Sequence, residues 1–115
     1  MKKSKFIDGS RIAVSAHSLG AEPAAFLGVL SDDIKAVIYN DFSGNRLKRK
    51  VALKKGEVIG GYWHEIPDMF EWFTYIDLLA ANSPKPLLLT EGGITADLDI
   101  TKGSYERDGA SKNLE

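Results

Sequence analysis

In the segment Ala16-His17-Ser18-Leu19-Gly20, residue type and spacing come closest to specifying a chemistry. It is one substitution from G-x-S-x-G, the signature of a serine on a sharp turn between a strand and a helix. Such a turn holds the serine in a strained backbone conformation and lifts its hydroxyl above the strand ends, and small residues two before and two after leave room for the bend. Ala16 and Gly20 meet that demand. A helix starting near Gly20 would aim its free N–H groups and positive end at the serine, so the N–H of Leu19 could stabilise the oxyanion of an acyl-transfer intermediate. Ser18 is the candidate nucleophile and Leu19 the candidate oxyanion-hole donor. His17 is expected to point away from its neighbour on so tight a turn, lining the site and contacting substrate rather than serving as base.

Other chemistry-bearing residues are scattered. Trp63 and His64 lie in Tyr62-Trp63-His64-Glu65-Ile66-Pro67 and are read as substrate-contacting positions. His64-Glu65 begins like a zinc-binding H-E-x-x-H helix, but position 68 is Asp68 and Pro67 opposes that helical register, so no metal site is expected. The aromatic residues Tyr62, Trp63, Phe70, Trp72, Phe73 and Tyr75 are expected mainly in the core, with Trp63 the exception. The basic stretch from Arg46 to Lys55, interleaved with Leu47, Val51 and Leu53, reads as a solvated loop or surface helix. Neither a glycine-rich dinucleotide fingerprint nor a phosphate-binding loop with its lysine occurs, and no cofactor is expected.

The elements that must position Ser18 follow from patterning. Arg11 to Ala16 is rich in small and β-branched residues after a Gly9-Ser10 turn signal, as for a central strand buried on both faces. Ala21 to Leu30 is a helix, with Pro23 tolerated in its first turn. Ile34 to Tyr39 is a second strand bounded by Asn40-Asp41. No period persists from Asp41 to Trp63. Apolar residues at Met69, Phe70, Trp72, Phe73, Ile76, Leu79 and Ala80 then follow helical spacing within 67–82, as one bent helix or two short ones. Leu87 to Thr90 is a third strand, Asp97 to Gly109 is weakly helical with Gly109 as C-cap, and Ser111 to Glu115 reads as the approach to an element that is not among these residues. Strands alternating with helices imply an α/β arrangement with a short parallel sheet of about three strands and flanking helices.

Composition narrows the classes. With 115 residues the chain supports one modest core. Fifteen Lys+Arg against 16 Asp+Glu leaves a formal net charge of -1, which argues against a nucleic-acid partner. There are no cysteines, hence no disulfide, zinc-thiolate site or thiol nucleophile. The basic start Met1-Lys2-Lys3-Ser4-Lys5 lacks a following apolar stretch, so no export signal is visible. The longest apolar runs fall far below the roughly 20 residues that cross a bilayer, and no membrane partner is expected.

Three blocks together resemble one family: Asp8-Gly9-Ser10-Arg11-Ile12-Ala13-Val14-Ser15-Ala16-His17-Ser18-Leu19-Gly20, then Ile34-Lys35-Ala36-Val37-Ile38-Tyr39-Asn40-Asp41-Phe42, then Asp77-Leu78-Leu79-Ala80-Ala81-Asn82-Ser83-Pro84-Lys85-Pro86-Leu87-Leu88-Leu89-Thr90-Glu91-Gly92-Gly93. The chain resembles an α/β-hydrolase of the acetyl-xylan-esterase and dienelactone-hydrolase-like branch. The resemblance implies a partial α/β-hydrolase domain over 1–115, from the nucleophile strand to the acid-bearing loop, and a carboxylic-ester substrate, small or carbohydrate. It places the triad acid near Thr95, which has no carboxylate, so Asp97 is the candidate acid and Asp99 the next. No histidine follows His64, whereas the fold orders its triad as Ser, acid, His. The general base is therefore missing from these residues, and the chain is expected to be near-inactive alone. A non-catalytic α/β binding module that keeps the turn only as a structural feature is the competing expectation.

Overall fold

The computed structural model describes residues 5–40, 55–56, 66–91 and 98–115. Three parallel strands form one sheet in the order β1-β2-β3: β1 (Ile12–His17), β2 (Ile34–Asn40) and β3 (Leu87–Thr90). Among the described residues four helices accompany them: α1 (Ala21–Leu30), α2 (Met69–Trp72), α3 (Tyr75–Ala81) and α4 (Asp99–Arg107). The layered parallel α/β arrangement expected from the sequence is present. One expectation is not met among the described residues: β1 lies at an edge of the sheet. It borders only β2 among the described residues, and its side chains alternate, with Ala13, Ser15 and His17 exposed and Ile12, Val14 and Ala16 half-buried. Small and β-branched residues suit a strand covered on one face as well as one covered on both, so composition alone could not separate the two.

Each strand turns alternate residues toward the helices. Val37 and Tyr39 of β2 and Leu87 of β3 join Ala21, Ala24 and Ala25 of α1, Leu78 and Leu79 of α3 and Tyr105 of α4 in one core. Alanines line the buried face of α1 because the helix lies close to the sheet. The approach is tightest at Gly28, where a Cβ would stand 2.8 Å from Val37 Cγ2. Lys85, just before β3, ties down the far end of α1 by donating from Nζ to the carbonyls of Gly28 (2.6 Å) and Ser31 (3.0 Å). A cation there completes the helix carbonyls and opposes the negative end of its dipole.

The apolar period over 67–82 resolves into two short helices, because Phe73 and Thr74 between them are extended. Thr74 then restarts the helix through a capping box: its backbone N–H and its hydroxyl both donate to Asp77 Oδ2 at 2.7 Å. Thr74→Ala should therefore cost about 1 kcal/mol, read as a lower urea midpoint with unchanged slope, while Thr74→Ser should cost less than half of that. The aromatic cluster divides. Phe26, Phe70, Phe73 and Tyr75 pack edge-to-face with centroids 6.1–6.3 Å apart. Trp72, expected in the core, is instead 84% exposed, since the helix that carries it ends after a single turn. Tyr62 and Trp63 lie outside the described residues, as does the basic stretch apart from Lys55.

Ser111 to Glu115, expected to lead to an element outside these residues, instead returns along β3. After a 3-10 turn at Ser111–Asn113, the chain runs parallel to β3: Glu115 N–H donates to the Leu87 carbonyl (3.0 Å) and Leu89 N–H donates to the Glu115 carbonyl (2.7 Å). Gly109 has φ +66, the left-handed conformation expected of a helix-ending glycine.

Candidate active site

The carboxyl ends of the three strands lie in one row, because the register pairs His17 with Asn40 and Asn40 with Thr90. Parallel α/β sheets bind their ligands at this edge. At β1 the chain is extended through His17 (φ -125, ψ 142), reverses at Ser18 (φ 53), makes one 3-10 turn over Ser18–Gly20 and enters α1. A left-handed φ at a residue with a side chain costs about 1 kcal/mol or more and is the kind of strain that clusters at functional sites. Ser18 is exposed at this bend, and Leu19 beside it is 46% exposed. A Cβ on Gly20 would meet Ala16 Cβ at 3.7 Å, an ordinary contact, so the turn accepts an alanine there.

Side chains stitch the strand ends together. Asn40 Nδ2 donates to the Ala16 carbonyl (3.3 Å), and Thr90 Oγ1 donates to Asn40 Oδ1. His17 points across this row toward β3, where its Nε2 is 3.5 Å from Glu91 Oε2. Both are well exposed. Glu91, directly after β3, is a second strained residue at this edge, with φ 63.

Of the residues the sequence nominated, Ser18, Leu19 and His17 come together at this edge. Asp97, Trp63 and His64 lie outside the described residues. Asp99 is exposed at the start of α4, where the helix dipole favours a carboxylate. Asn40, Thr90 and Glu91 are positions the residue-by-residue reading did not single out. The available signal was their place at the carboxyl end of a parallel strand. Among the described residues, no three His, Asp or Glu side chains converge in a way that could hold a metal ion. No helix among them is long and apolar enough to cross a membrane.

A parallel sheet with a left-handed serine between its first strand and the following helix defines an α/β-hydrolase type of framework. The chain matches the Abhydrolase family over residues 1–115 and belongs to it. It is similar to a crystal structure from Bacteroides fragilis, provisionally described as an acetyl xylan esterase, at 38% identity and a TM-score of 0.85. That alignment covers 99% of this chain and 31% of the other, so the chain spans about a third of the length of that protein. No curated protein matches it.

Proposed function

We propose that the chain is the nucleophile-bearing part of a serine carboxylic-ester hydrolase. The observation that carries this reading is Ser18, exposed and left-handed at the carboxyl edge of a parallel sheet in a chain of the Abhydrolase family. In the proposed reaction Ser18 Oγ forms a bond to the ester carbonyl carbon while its proton passes to a general base. The Leu19 N–H supports the oxyanion, the alkoxide leaves with that proton as an alcohol, and water then releases the acid from Ser18. Asp97 is the proposed acid that orients the base, and Asp99 is its alternative. The base itself, and the second oxyanion donor, are proposed to come from outside residues 1–115. The name carried by the similar Bacteroides fragilis protein favours an acetylated carbohydrate as substrate.

The test is covalent labelling with a fluorophosphonate ester mimic. In a longer chain that includes a downstream histidine, the probe should modify Ser18, and Ser18→Ala should abolish the adduct. In the 115-residue chain labelling should be slower by roughly 10³-fold or more, since loss of a triad member leaves only residual catalysis. If the longer chain shows no adduct on Ser18, the turn is structural and the chain is a binding module.

A further inference from the structure

We infer that Glu91 is a positioning residue of the Ser18 site, holding the His17 imidazole over the end of β2 so that it can accept a hydrogen bond from a substrate hydroxyl. This rests on the proposed serine-hydrolase reading and assigns it a substrate class: esters whose alcohol side carries a free neighbouring hydroxyl.

The first support is backbone strain in an unexpected place. Glu91 adopts φ 63, a conformation in which glycine costs nothing, and two glycines, Gly92 and Gly93, follow at once in the sequence. The strained position is nevertheless filled by a residue whose side chain reaches across the sheet edge. Ser18 and Glu91 are thus left-handed residues with polar side chains, one after β1 and one after β3, while the third such residue, Asp68, starts α2.

The second support is what lies between them. Asn40 closes the end of β2 by bonding to Ala16 and Thr90, leaving the row above it to His17 and Glu91. The third is the donor inventory. An ionised carboxylate only accepts hydrogen bonds, so facing Glu91 Oε2 at 3.5 Å favours, for a neutral His17 ring, the tautomer with its proton on Nε2, which leaves Nδ1 as an acceptor. An acceptor fixed next to a serine nucleophile is suited to an O–H group of the substrate. Both side chains remain more than half exposed, so a surface contact of this kind adds little to stability. Strain with little structural return is the pattern expected of a functional position.

The chain contains only two histidines, so the His17 ring is identified by nuclear magnetic resonance once His64→Gln removes the other signal. In the wild-type background the ring should show cross-relaxation to the Glu91 methylene protons and a single side-chain rotamer. In Glu91→Gly the rotamers should average while the melting temperature rises by about a few degrees, because glycine relieves the strain. In the form of the protein that reacts with the fluorophosphonate, Glu91→Gly and His17→Ala should each slow labelling of Ser18 by an ester probe bearing a free hydroxyl about tenfold. The double variant should be no slower than either, and a probe without the hydroxyl should be unaffected. A His17 ring that is already averaged in the wild-type background, a lower melting temperature in Glu91→Gly, or equal slowing of both probes would overturn the inference. Absence of any adduct on Ser18 would defeat the hydrolase reading and the substrate class with it, while the ring measurement still decides whether Glu91 holds His17.

Discussion

Gly28→Ala should destabilise the chain by about 2 kcal/mol, lowering the melting temperature by roughly 8–16 °C for a domain of this size, although alanine is the better helix former. In an open helix the exchange would gain about 1 kcal/mol. Here the new Cβ would sit 2.2 Å from Asn82 Oδ1, 2.8 Å from Val37 Cγ2 and 3.1 Å from Asn82 Cγ. Neither neighbour can yield cheaply. Val37 is fully buried in the central strand, and Asn82 is buried while its Nδ2 donates to the Leu78 carbonyl at 2.8 Å. The helix must lift from the sheet or Asn82 must give up its bond, and either response costs more than the propensity gain.

Gly103→Ala is the internal control, since nothing lies within 4 Å of a Cβ there and α4 should be stabilised by up to about 1 kcal/mol. Combining Gly28→Ala with Asn82→Ala should restore part of the loss, showing that the two sites are coupled rather than additive. If Gly28→Ala melts at or above the wild-type temperature, α1 does not approach β2 as closely as described. Because the Ser18–Gly20 turn leads directly into α1, the same lift would also displace the serine.

The contrast between these two glycines shows what the sequence could and could not disclose. The strand, helix, strand unit around Ser18 was legible because each element carries its own local signal: β-branched runs, Pro23 in the first turn, and a small-x-Ser-x-Gly string at their junction. The division of 67–82 into two helices was legible as an alternative, and Thr74 with Asp77 is the capping signal that decides it. The position of β1 in the sheet was not legible, because strand order is set by contacts between segments distant in sequence. The pairing of His17 with Glu91 was hidden for the same reason, as the two are far apart along the chain and meet only through the β1-β2-β3 register. Gly28 has no local signal that singles it out. Its role depends on Asn82, a residue on a different element that no periodicity links to it.

Alkaline pH should unfold the chain through its two buried phenols. Tyr39 and Tyr105 are both fully buried in the core, where a phenolate would lose its hydration. Burial pushes Tyr105 up to about 12 from its ordinary value. Burial raises Tyr39 as well, more strongly. In the unfolded chain both titrate near pH 10. A folded-state value above the unfolded one means that the unfolded state releases protons first as pH rises. The contribution is therefore complete below about pH 10 and is lost progressively as pH climbs toward about 12.

For Tyr105 the loss is on the order of 2–3 kcal/mol, and the stronger shift at Tyr39 steepens the fall. Against a total of about 5–15 kcal/mol for an ordinary domain, this suffices to bring unfolding into the accessible range. Urea midpoints should stay level to about pH 9 and then drop, with phenolate absorbance appearing together with loss of structure rather than before it. Tyr105→Phe should flatten part of that slope. It also removes the 2.7 Å hydrogen bond from the Tyr105 hydroxyl to the Lys85 carbonyl, so its midpoint at neutral pH should be lower by an amount equivalent to about 1 kcal/mol. A level urea midpoint through about pH 11 would mean that the two phenols reach water in the native state, and that the helices do not close over β2 and β3 as the packing requires.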